Sequence, residues 1–219
     1  MDIILSPLEL RVLGCLIEKE ATTPDVYPLS LNALTSACNQ KTNRDPVMNL
    51  NEDTVLDTAE SLIKKSLATS RSGAGSRVSK FAHRLTHRLL DDLEFSRPEL
   101  AVLSVLFLRG PQTPGELKSR CARIHSFADT AELLATIENL EQRAAGPYVV
   151  KLATRPGHKE SRYAHLFAGG VESAPDSDAS ATVVSDEAAR ITHLEHQVSG
   201  LRSDLDALRA DFELFVKQF

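Results

Sequence analysis

Apolar positions recur along this chain at the alternating three- and four-residue spacing of amphipathic helices, and the same succession of elements is written twice. Leu10, Leu13, Leu16 and Ile17 follow Ser6-Pro7-Leu8-Glu9; Leu100, Leu103, Leu106 and Phe107 follow Ser96-Arg97-Pro98-Glu99. Each start reads as a capping box, in which the Ser side chain accepts from the backbone three residues on and the Glu reaches back. Pro7 suits the first helical position. A second helix is expected near Ser30 in the first half and at Thr113-Pro114-Gly115-Glu116 in the second. A third opens at Asn51, with Glu52 and Asp53 favouring its positive end, and carries Val55, Leu56, Ala59, Leu62 and Ile63 on one face. Its counterpart opens at Asp129-x-x-Glu132 and carries Leu133, Leu134, Ile137 and Leu140. Two short β-like runs then flank Arg71–Arg77, and two more, Tyr148–Leu152 and Ser161–His165, flank Arg155-Pro156-Gly157-His158.

The residues themselves repeat. At an offset of 90, Ser6, Glu9, Leu10, Val12, Leu13 and Leu16 fall on Ser96, Glu99, Leu100, Val102, Leu103 and Leu106, and Thr23-Pro24 falls on Thr113-Pro114. With gaps, Leu34-x-Ser36-x-Cys38 matches Leu117-x-Ser119-x-Cys121, and Ser79-Lys80-Phe81-Ala82-His83 matches Ser161-Arg162-Tyr163-Ala164-His165. We read two copies of one domain, at 1–95 and 96–168. Three helices and a hairpin is the order of a winged helix; a three-helix domain without a wing is the alternative. The expected fold is therefore α+β, mainly α: two tandem winged-helix domains followed by a C-terminal coiled-coil helix.

That last helix stands apart in composition. Residues 169–186 are rich in Gly, Ser, Ala, Pro and Asp, contain no Lys or Arg, and read as a flexible linker. Within 187–219, Ile191, Leu194, Val198, Leu201, Leu205, Leu208, Phe212 and Phe215 form an a/d seam of about four heptads. β-Branched residues at the early a positions and Leu at d favour two parallel strands, with Asp204 facing Arg209 of a second copy. The expectation is a homodimer; a helix folded back on its own chain is the alternative.

Composition narrows the function classes. The 219 residues are 42% hydrophobic and 25% charged, as in an ordinary folded protein, with no apolar run long enough to span a membrane. The first residues, Met1-Asp2-Ile3-Ile4, do not fit a signal peptide, and Cys15, Cys38 and Cys121 suit neither a disulfide framework nor a Cys-x-x-Cys metal knuckle. A cytoplasmic setting is expected. Net charge is −5, distributed as −2 over 1–95, +3 over 96–169 and −6 over 170–219. This argues against a generic polyanion binder and leaves room for a local basic face.

Two groups could form such a face. The loop Asn39-Gln40-Lys41-Thr42-Asn43-Arg44-Asp45-Pro46 is dense in amides and cations. Asn and Gln can pair bidentately with adenine and Arg with guanine, so Asn39, Gln40, Lys41, Asn43 and Arg44 are the candidate base readers. The plainer reading is a self-contained turn, with Arg44 paired to Asp45 and Asn side chains bonded to backbone. The hairpins supply Arg71, Arg77, Lys80, Arg155, Lys159 and Arg162 as candidate phosphate contacts, or simply as charges that keep a sheet edge from aggregating. Against DNA, the third helices carry Glu52, Asp53, Asp57 and Glu60, and Glu132, Glu138 and Glu141. Catalytic patterns are weak. Ser61-x-x-Lys64 lies inside an amphipathic helix, and Gly73-Ala74-Gly75 sits at a hairpin tip. No enzyme activity, cofactor or metal is expected, and duplicated His83 and His165 read as structural.

Three longer stretches resemble a known family. Glu18-Lys19-x-x-Thr22-Thr23-Pro24-x-x-Tyr27-Pro28-Leu29-Ser30, Ala37–Met48, and Leu108-Arg109-Gly110-Pro111-Gln112-Thr113-Pro114-Gly115-Glu116-Leu117 are similar to the YceH family of bacterial proteins of unknown function. So are Gly146-Pro147-Tyr148-Val149-Val150, Arg155-Pro156-Gly157 and Ser161-Arg162-Tyr163. The resemblance covers about residues 4–168. It implies a tandem winged-helix fold and a cytoplasmic protein, and it hands over no activity. The reading expected from the sequence is a DNA-binding protein in gene regulation that contacts double-stranded DNA. The alternative is a non-catalytic module for an unidentified protein partner.

Overall fold

The structure is a computed structural model that describes residues 3–72, 79–86, 94–154 and 160–169. The chain divides into two compact units, 1–171 and 172–219. The expected linker and the coiled-coil seam, Ile191 through Phe215, lie outside the described residues.

The first unit is α+β with two small antiparallel sheets. Helix α1 (Pro7–Thr22) begins at the predicted capping box: Glu9 N donates to Ser6 Oγ (3.2 Å) and Ser6 N to Glu9 Oε2 (2.8 Å). A 3-10 turn (Pro24–Val26) and strand β1 (Leu29–Ser30) precede helix α2 (Leu31–Cys38), which is capped by Ser30. Asn51 caps helix α3 (Glu52–Lys64). Strands β2 (Ala68–Ser72) and β3 (Ser79–His83) form the hairpin, and β1 adds to the outer side of β3 with Leu29 opposite Phe81. The second copy gives helices α4 (Arg97–Arg109), α5 (Pro114–Cys121) and α6 (Thr130–Gln142), then strands β4 (Val149–Lys151) and β5 (Tyr163–His165).

Strand β1 was not anticipated, because two residues carry no periodicity. Its trace in the second copy is the single bridge from Gln112 to Tyr163, the residue matching Phe81. This register corrects one equivalence. Thr113 caps α5 as Ser30 caps α2, so Thr113-Pro114 corresponds to Ser30-Leu31 and not to Thr23-Pro24. Thr23-Pro24 instead opens the 3-10 turn, an excursion made, among the described residues, only by the first copy.

The capping-box glutamate of each first helix also pins the end of the third. Glu9 accepts from Ser61 Oγ (2.8 Å) and pairs with Lys65 at 2.7 Å; Glu99 pairs with Arg143 at 3.6 Å. Lys65 and Arg143 are the C-cap residues of α3 and α6, where a cation also complements the helix dipole.

The two copies meet along α1 and α4. Every residue from Glu9 to Glu18 and from Glu99 to Leu108 is buried, since each helix is covered by its own copy on one side and the other copy on the opposite side. Gly14 marks the crossing. A Cβ there would lie 2.9 Å from Leu108 Cγ and 3.1 Å from Phe107 Cβ. Ser104, the residue at the offset of 90, donates its hydroxyl to the Gly14 carbonyl (3.3 Å). Equivalent positions of the two copies thus touch, the signature of an approximate two-fold relation.

Candidate functional site

The polar loop 39–46 is organised from within. Asn39 Nδ2 donates to Leu50 O and Leu50 N donates to Asn39 Oδ1, both at 2.7 Å, so its amide edge is spent on backbone. Arg44 is 5% exposed. Its Nη2 and Nη1 donate to Glu18 Oε2 (2.6 Å) and Oε1 (3.3 Å), and its Nε donates to Ala37 O (3.1 Å). Gln40 Oε1 and the Asn43 carbonyl accept from the same guanidinium. Burial alone would lower the Arg44 pKa; the hydrogen bonds and charge of Glu18 outweigh it and raise it. In place of the Arg44–Asp45 pair of the plainer reading stands this longer-range one, because Glu18 lies on the helix against which the loop packs.

A second arginine, which the sequence reading passed over, closes the loop from below. Arg11 is 1% exposed and donates to the carbonyls of Cys38 (3.1 Å) and Pro46. Its signal was present: a cation in the apolar run Leu10-Arg11-Val12-Leu13 has to find buried acceptors. Cys15 and Cys38 are both buried near it. Burial opposes ionisation of Cys15, but the Cys38 thiol and the Arg44 charge hold it below the ordinary thiol value, while Cys38 is raised. The loop also seats on the second copy, with Asp45 N donating to Leu108 O (2.8 Å) and Arg109 Nη1 to Asn43 Oδ1 (3.3 Å). Of the five candidate base readers, Lys41 is exposed, Asn39, Gln40 and Asn43 are half-buried, and Arg44 faces the interior.

Among the hairpin cations, Arg71 and Lys80 are exposed and stand opposite each other across β2 and β3. Arg162 is half-buried beside the other sheet, where its carbonyl accepts from Leu152 N. Arg77, Arg155 and Lys159 lie outside the described residues. The loop and the first hairpin grip α1 through Glu18 and Glu20 respectively, with Glu20 Oε2 at 2.7 Å from His83 Nε2. Residues two positions apart on a helix are separated by about 200° around its axis, so loop and hairpin depart from different sides of α1.

The outer faces of the third helices are acidic. Glu52, Asp53, Asp57 and Glu60 are exposed on α3, as are Glu132 and Glu138 on α6. Ser61 gives its hydroxyl to Glu9, not to Lys64. His83 bonds Glu20, whereas His165 packs against Phe107 and burial holds it down at about 4. Among the described residues no three His, Cys, Asp or Glu gather as metal ligands, and no helix is long and apolar enough to cross a membrane. Residues 5–158 match the model of one family, described as a protein of unknown function, DUF480.

Proposed function

The chain belongs to that family, and on this premise we propose that it is a non-catalytic, tandem winged-helix module that binds a protein partner. The motifs of residues 18–48 and 108–163 support reading the family as that of YceH, and the repeated order of three helices and a hairpin supports the winged-helix reading. The three cysteines, free and buried, support a reducing, cytoplasmic setting.

One observation carries the choice of partner. The third helix, which a winged helix uses to read a DNA groove, presents carboxylates outward in both copies. Facing phosphate they would be repelled; facing a cationic protein surface they would steer association. Arg44 and Asn39 act in this reading as the frame of the loop and leave the list of base contacts. The test combines two measurements. Asp57→Lys with Glu60→Lys, both exposed in mid-helix, should abolish capture of a stoichiometric partner that the unaltered chain retains. Fluorescence anisotropy should show no binding of mixed-sequence duplex DNA at low salt. Capture that survives the charge reversal overturns the reading.

A second reading, duplex DNA held by its phosphates, is favoured by the cationic pair Arg71 and Lys80. It requires binding that weakens steeply with salt, and less steeply once both residues are Ala.

A further inference from the structure

Strand register gathers a specific set of side chains on the outer face of the first sheet. Thr69 stands opposite Ala82. Two residues along each strand, on the same face, come Arg71 and Arg84. Arg84 N donates to Leu67 O (2.9 Å), which continues the ladder one pair past β3. Small side chains in the middle and arginines at two diagonal corners leave a hollow, and Tyr27 and Pro28 wall it where the chain enters β1. The resulting cleft is about 430 Å3, within the size range of sites for small organic ligands.

The chemistry of the lining is consistent. Neither Arg71 nor Arg84 is in an ion pair among the described residues, in contrast to Arg44. Tyr27 Oη accepts from His83 N (2.8 Å), which leaves its own proton to donate, and burial raises its pKa so that it stays a phenol. Leu85 N donates to His83 Nδ1 (3.3 Å), so Nε2 carries the proton that holds Glu20 against the cleft. The Glu20 side chain is 41% exposed and can accept from a ligand hydroxyl.

The second copy shows that the fold does not require these cations. Val150 stands opposite Ala164 there, and the positions of Arg71 and Arg84 are taken by Leu152 and Leu166. The same hairpin is built with leucines.

We propose that this cleft binds a phosphate monoester carried on a sugar, with Arg71 and Arg84 on the phosphate, Tyr27 donating to it, and Glu20 accepting from sugar hydroxyls. The inference stands apart from the protein-binding reading, since it uses the sheet and not the third helices.

Isothermal titration calorimetry of the full chain tests it with ribose 5-phosphate and AMP, against ribose, adenosine and inorganic phosphate. Both phosphorylated probes should bind at least tenfold more tightly than their unphosphorylated forms and than inorganic phosphate. Arg84→Leu, which copies the second hairpin, should weaken them at least tenfold without lowering the melting temperature. Arg71→Leu, at an exposed position, should act in the same direction and serves if the first variant is poorly folded. No binding of either phosphate at millimolar concentration overturns the proposal, as does an affinity in both variants equal to that of the unaltered chain. Inorganic phosphate binding as tightly as ribose 5-phosphate overturns it too, because Glu20 would then have no part in recognition.

Discussion

Arg44 and Glu18 form the most committed charge pair in the described residues. The guanidinium is enclosed, bidentate, and bonded to three further oxygens, two in the loop it supports and one, the Ala37 carbonyl, at the end of α2. Removing one partner of such a pair strands the other in a medium that penalises lone charge, at a cost of about 3–5 kcal/mol. Glu18→Gln is nearly isosteric but leaves Arg44 charged and unpaired. Its urea midpoint should therefore fall sharply, by more than an exposed Glu60→Gln control moves it. A midpoint within error of the control would mean that the loop is held by other contacts. At this scale a residue's type announced polarity, but not direction. Arg44 reads equally well as a base contact or as a loop anchor until Glu18, 26 positions earlier, is placed beside it.

Among the elements, α1 and α4 bear the most. Each is buried around its circumference, so the contact between them is a core and not a lubricated interface. Gly14 permits the approach. Gly14→Ala would gain about 1 kcal/mol of helix propensity, yet its methyl would meet Leu108 Cγ and Phe107 Cβ inside contact distance. Overpacking of this kind typically costs about 1–3 kcal/mol. We expect a net loss of stability and a cooperative unfolding transition, because the crossing joins both copies. A stabilised variant would show that α4 can slide away freely. Helix starts were readable in advance at this scale: Ser6, Ser96, Thr113, Asn51 and Asp129 all cap where their local pattern placed them. Strand β1 and the 3-10 turn were not, since Leu29-Ser30 becomes a strand only because Phe81 is there to pair with.

For the whole molecule, the apolar heptad pattern from Ile191 to Phe215, outside the described residues, carries the expectation of a homodimer. If it pairs two copies, Leu201→Asp with Leu205→Asp should convert a dimer to a monomer in sedimentation velocity and leave the helical signal of residues 1–168 intact. An unaltered sedimentation coefficient would assign the seam to its own chain. A dimer would present two copies of each acidic helix face, and avidity would then strengthen a weak partner contact without any new interaction.

The sequence alone established the repeated motifs and, among the described residues, the six helices with their caps and the strand pairs that follow them, because each is written in residues within a few positions of one another. Three things waited for the folded chain: which polar groups turn inward, how the copies meet at Gly14 and Ser104, and which cations border a hollow with no ion pair among the described residues. Those depend on contacts between residues 26 to 90 positions apart. Local propensity carries no term for such contacts; burial and charge pairing select among them only once the helices have packed.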